Sequence, residues 1–147
     1  MEYQAVLTRQ GGAVLAEFPD CPGCQTFARK GQDIRARAKE ALEGWLELAL
    51  EDGEAPPHPR TVRPPRGAEL LTVPVEPRLG IAIALRWARL EAGWTQAELA
   101  RRVGVSQQQI AKLEQSAVNP TVETLERLAA AFGMRVAVAF EPGLTHA

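Results

Sequence analysis

Cysteine is almost missing from this chain. Cys21 and Cys24 are the only two in 147 residues, which excludes a disulfide-stapled secreted scaffold. Histidine is as sparse, at His58 and His146. A structural zinc site needs four ligands, and both histidines lie far from the cysteines in sequence. No apolar run approaches the roughly 20 residues that span a bilayer. Met1 leads into Glu2-Tyr3-Gln4 with neither the basic nor the apolar stretch of a secretory signal. These absences point to the cytoplasm, with both thiols reduced. Catalytic signatures are missing as well. There is no Gly-x-Ser-x-Gly elbow, no phosphate-binding glycine-rich loop and no Cys–His nucleophilic set. No enzymatic activity, cofactor or metal is expected.

What the chain does have is an uneven charge. The net value is −1. Residues 1–60 carry 7 basic and 10 acidic side chains, a balance of −3, whereas residues 61–147 carry 10 and 8, a balance of +2. Within 78–120 the count is 6 basic to 3 acidic. A chain of 147 residues holds one medium domain or two small ones. The asymmetry favours two, the second suited to a polyanion.

Residues 95–114 carry the densest information. They read as two short helices joined by a tight turn, the helix-turn-helix unit that enters the DNA major groove. Thr95 with Glu98 makes a capping box for the first helix, and Ser106 caps the second. Ala100 is small where the helices cross. Gly104 sits where the turn needs a positive φ. Leu99, Val103, Ile110 and Leu113 supply the apolar contact between the helices. From Ile81 to Phe132 the segment resembles the Cro and phage-repressor type of helix-turn-helix domain. That resemblance places Gln107, Gln108, Gln109 and Lys112 at base edges, with Ser106 at the helix start. Glutamine pairs with the N6/N7 edge of adenine, and lysine reaches guanine O6/N7. The same resemblance makes Gln96 a phosphate contact, with its amide able to lie near Gln107. Arg101 and Arg102 are further phosphate candidates.

The first third reads as strands and one helix. Tyr3–Thr8 and Val14–Phe18 flank a Gln10-Gly11-Gly12 hairpin turn, and Gln25–Ala28 makes a third strand. Cys21-Pro22-Gly23-Cys24 is a turn between strands. A redox dithiol usually opens a helix, and spacing alone does not make a site, so the pair reads as structural. Asp33 caps a long helix that ends near Asp52-Gly53. Ile34, Ala38, Ala41, Leu42, Trp45 and Ala49 recur at helical spacing and face the sheet; Leu46 and Leu50 widen that stripe, as a core extension in preference to a partner-facing surface. Five prolines within 54–66 make an extended connector, and Glu69–Val75 is a fourth strand.

Glu17-Phe18-Pro19-Asp20-Cys21-Pro22-Gly23-Cys24-Gln25-Thr26 is similar to the strand-turn-strand signature of the HicB antitoxins. Gly31, the Ala38-x-Glu40-Ala41-Leu42 helix and the Glu51-Asp52-Gly53-Glu54-x-Pro56-Pro57 exit also fit. Cys21 departs from the family, which usually carries an aliphatic residue there. The resemblance implies a partial ribonuclease-H-like β-β-β-α-β sheet. It also implies a partner, the HicA-like toxin, a small mRNA-cleaving protein of double-stranded-RNA-binding fold. The strands carry only Glu2 and Glu17, with Asp20 in the turn, too few carboxylates for the paired metals of a ribonuclease.

The predicted fold is α+β. Residues 1–75 form the toxin-binding sheet domain, and 78–140 form an all-α helix-turn-helix and dimerisation domain with a terminal β-strand. In helix 79–92, Ile81, Leu85 and Ala88 face the domain's own core, while Ile83, Trp87 and Leu90 make a second apolar stripe for the N-terminal sheet or another subunit, with Trp87 a dimerisation candidate. Alternating Val136, Val138 and Phe140 read as a strand that needs a partner from a second subunit, giving a homodimer or a higher even-numbered oligomer. Two functions fit. One is an antitoxin that neutralises its toxin and represses its own operon. The other is a free-standing regulator with a small-ligand-sensing N-terminal domain.

Overall fold

The structure is a computed structural model that describes residues 1–143; His146 lies outside the described residues. The chain divides into two compact units, Met1–Glu76 and Pro77–Pro142.

The first unit is a four-stranded antiparallel sheet with one helix on it. Strands β1 (Glu2–Gln10), β2 (Ala13–Glu17), β3 (Gln25–Ala28) and β4 (Glu69–Pro74) lie in the order β3-β2-β1-β4. Gly11 and Gly12 both have positive φ, at 54° and 83°, which lets a two-residue turn match the strand twist. Tyr3 pairs with Val73 and Leu7 with Ala16, so these residues share a face. On that face Tyr3, Ala5, Ala16, Ala28 and Val73 are buried. Helix α1 (Ile34–Glu51), capped by Asp33 through the Arg35 N–H, packs against it with Ala38, Leu42, Leu46, Ala49 and Leu50. Leu46 and Leu50 are fully buried, as core extension predicts.

The proline-rich connector is no loose linker. The Tyr3 hydroxyl donates to the Pro57 carbonyl at 2.7 Å. Arg60 gives its backbone N–H and its Nε to the buried Asp20 carboxylate, at 2.8 and 2.7 Å. The Val62 N–H donates to Gln4 Oε1 at 2.7 Å. Proline leaves few backbone donors to satisfy, and these contacts tie the segment to the sheet.

The second unit is helical. Helix α2 (Pro77–Glu91) precedes α3 (Gln96–Val103), α4 (Gln107–Glu114) and α5 (Val122–Ala131). Leu85, Leu99, Ala100, Val103, Ile110, Leu113 and Leu128 form its core. On α2, Leu79, Ala82 and Ile83 are buried too, Trp87 is half-buried and Leu90 is exposed. The terminal strand is a correction. Residues 134–140 carry no regular secondary structure. The alternation is present, but a strand exists only with a ladder partner, and the described strands of this chain pair within the sheet. Val136 is half-buried, while Val138 and Phe140 stand exposed.

Candidate nucleic-acid interface

Local chemistry sets α3 and α4. Thr95 Oγ1 accepts the Glu98 N–H at 3.1 Å, and Glu98 Oε2 accepts the Thr95 N–H at 2.9 Å. Ser106 repeats the device. Its Oγ accepts the Gln109 N–H at 3.2 Å, and Gln109 Oε1 accepts the Ser106 N–H at 2.9 Å. Each box satisfies two orphan donors of a helix start. Between the helices Gly104 takes φ 77°, ψ 35°, and its N–H returns to the Ala100 carbonyl at 2.9 Å. The Arg127 guanidinium from α5 donates to the Val103 carbonyl and so caps the end of α3.

A buried carboxylate then fixes the helices to one another. Glu114, at the end of α4, is fully buried. Arg89 of α2 gives it Nε at 2.6 Å and Nη2 at 3.3 Å, and Gln96 of α3 gives it Nε2 at 2.6 Å. Arg89 Nη1 also reaches the Trp94 carbonyl at 2.8 Å. A buried charge persists only when paired and hydrogen-bonded, and this one binds three helices. Arg86, also buried on α2, is lowered from its ordinary pKa by desolvation, with the Glu114 carboxylate opposing the shift.

The predicted contact residues therefore sort by role. Ile110, Leu113 and Glu114 turn inward, whereas Gln107, Gln108 and Lys112 are exposed on α4. Gln108 and Lys112 stand four residues apart and share a face. Gln109 is exposed, but its carbonyl is spent on the Ser106 cap. The Gln96 amide is held by Glu114 rather than near Gln107. Arg101 is exposed; Arg102 lies over the Trp94 ring at 4.1 Å, and that ring stacks on Phe132 at 5.1 Å. Sequence reasoning missed Glu114, Arg89, Arg127 and the Arg102–Trp94 contact. The resemblance places Gln109 at a base edge; the Ser106-x-x-Gln109 spacing is the signal that could have assigned it to the cap.

The cysteines are held as buried thiols. Cys21 and Cys24 are free and buried. Burial raises Cys21 to about 12, helped by Cys24 and Asp20, and raises Cys24 to about 11. Burial thus favours the thiol over the thiolate at neutral pH. Among the described residues no group of three or more His, Cys, Asp or Glu side chains is placed to hold a metal ion, and no helix is long and apolar enough to cross a membrane.

Two family patterns match in the order of the two units. Residues 4–67 match the HicB-like antitoxin of bacterial toxin-antitoxin systems, and residues 85–138 match a helix-turn-helix family. A relative from Photorhabdus laumondii, named antitoxin HicB 1, is 27% identical over 142 residues, covering 96% of this chain and 88% of its own. A UPF0150 protein of Archaeoglobus fulgidus is 35% identical over 57 residues, covering 37% of this chain and 83% of its own. The chain belongs to the HicB-like antitoxins. A solved chain from a HicA3 and HicB3 toxin-antitoxin complex is 26% identical, covering 52% of this antitoxin and 100% of its own length, at a TM-score of 0.46. The antitoxin thus carries its family domain on the sheet and a helix-turn-helix DNA-binding domain after it. HicB membership, read from the strand-turn-strand motif and the helix-turn-helix, stands.

Proposed function

We propose that this antitoxin represses its own operon and neutralises a small mRNA-cleaving, HicA-like toxin by direct binding. It acts as a non-enzymatic regulator in the cytoplasm. Toxin binding belongs to residues 1–75, and DNA binding with dimerisation to residues 78–140. One observation carries the DNA half of this reading. Gln108 and Lys112 share an exposed face, with Gln107 exposed at the helix start, on a short helix that is capped at its start and anchored at its end by Glu114. Fixed donors and acceptors on one face are what base-edge readout requires. Arg101 and Arg102 are the phosphate candidates beside it, and Gln96 positions its amide from Glu114. Dimerisation through Val136, Val138, Phe140 and Trp87 brings two such helices to paired half-sites.

The experiment is a binding titration on operator and random duplexes. Gln108→Ala is expected to cost about 1–3 kcal/mol on the operator and little on random DNA. Equal loss on both would remove the base-reading role. A variant of Arg101 should weaken both duplexes alike and flatten the salt dependence.

A further inference from the structure

Antiparallel sheets with one free face normally alternate, apolar toward the core and polar toward water. The face of the β1–β4 sheet opposite α1 does not. The pairing Val6 with Leu70 and Leu15 with Phe27 puts these four residues on that face. Val6 also pairs with Glu17 and Thr8 with Leu15, so the four residues form a diagonal across every strand. Phe27 is 48% exposed and Leu70 36%, at the two ends of the diagonal, while Leu15 is half-buried and Val6 buried between them. The remaining members of the face are Glu2, Gln4, Thr8, Gln10, Ala13, Glu17, Gln25, Thr72 and Pro74. Two carboxylates stand among them and no cation. Cations appear only at the margin, with Arg29 over the Phe27 ring at 5.6 Å and Arg63 on the connector. Beside Val6, Glu17 and Gln25 the connector residues Val62 and Arg63 wall a groove of about 510 Å³. The hydrogen bond from Val62 to Gln4 holds that wall in place.

The geometry points to this open sheet face as the surface on which the RNA-cleaving toxin docks. The inference rests on the neutralising function proposed above and names its surface. A toxin that grips RNA presents cations. An apolar strip with carboxylates and amides around it complements such a surface, while the exposed phenylalanine supplies the anchor typical of a binding hot spot. Connector contacts spare the groove an ordering cost on association. The helix side of the unit has its own exposed leucine, Leu48, at 57%, but it stands alone rather than in a strip.

The test uses the full chain and the purified toxin encoded beside it. Phe27→Arg and Leu70→Arg are each expected to weaken toxin binding at least thirtyfold, about the weight of one interfacial anchor. Operator binding and circular dichroism should stay unchanged, and Leu48→Arg should leave toxin affinity as it was. Phe27→Gln, a milder change at a side chain already half in water, serves should arginine unfold the sheet. Unaltered affinity in the sheet variants, with wild-type binding intact, overturns the assignment and leaves the neutralising function standing. Loss at Leu48 instead overturns it too, as does a change in oligomeric mass, which would make the face a contact between copies. Absence of wild-type binding removes the neutralising function itself.

Discussion

Cys21 and Cys24 sit in the turn between β2 and β3, and burial keeps both as thiols. That has a consequence at high pH. Unfolded, the thiols ionise near their ordinary value of 9.0; folded, they hold their protons to about 12 and 11. Burial raises the Tyr3 phenol well above its ordinary 10.0 in the same way. Above pH 9 the unfolded chain therefore binds fewer protons than the folded one, and stability falls as pH rises toward 11. The urea midpoint of the full chain should decline over that window. A Cys21→Ala, Cys24→Ala double variant should decline less steeply from its own starting value. An equal slope would assign the effect to Tyr3 alone. Single residues with local partners were legible in the sequence, Thr95 with Glu98 and Asp33 among them. Residues whose partners lie far along the chain were not. Nothing near Glu114 announces Arg89, 25 residues away, and nothing near Asp20 announces Arg60, 40 residues away. Only the fold brings such pairs together.

At the scale of elements, periodicity and turn chemistry carried most of the fold. Strand β3 and the Asp33 cap were readable because alternation, glycine turns and a capping side chain agree locally. Gly104 is the sharpest case. Its left-handed conformation is disfavoured for any residue with a Cβ, and an added Cβ would also meet Arg127 Nη2 at 3.4 Å. Gly104→Ala is expected to destabilise the helical unit by about 1–2 kcal/mol in chemical denaturation. A cost near zero would mean that the turn relaxes. Residues 134–140 mark the limit of such reading. Period-two alternation describes which faces a segment would have, but it cannot supply the neighbour that makes a strand. A second copy is the expected neighbour, since Val138 and Phe140 are otherwise left in water. Deleting residues 134–147 should then give monomers in sedimentation and a large loss of operator affinity, because two half-sites would be bound independently. An unchanged dimer would place the dimer contact elsewhere.

At the scale of the molecule the charge is divided between the two units as the proposed work is. Residues 1–60 carry the −3 balance, while 78–120 hold 6 basic residues to 3 acidic. A DNA-binding unit gains nothing from an acidic neighbour, whereas a partner that grips RNA does. The sheet unit also has its own buried core and its own tethers, with Tyr3, Asp20 and Gln4 holding the connector inside it. Such a unit should work without the helices. Fragment 1–75, co-expressed with the neighbouring toxin, is expected to restore growth, although the linked oligomer of the full chain adds avidity that the fragment lacks. The measurement is growth rescue beside a circular dichroism spectrum of the purified fragment. A folded, soluble fragment that fails to rescue would move toxin binding onto residues 78–140 and undo the division of labour. Rescue at a higher fragment level than the full chain needs would separate the intrinsic affinity of the sheet from the gain of assembly.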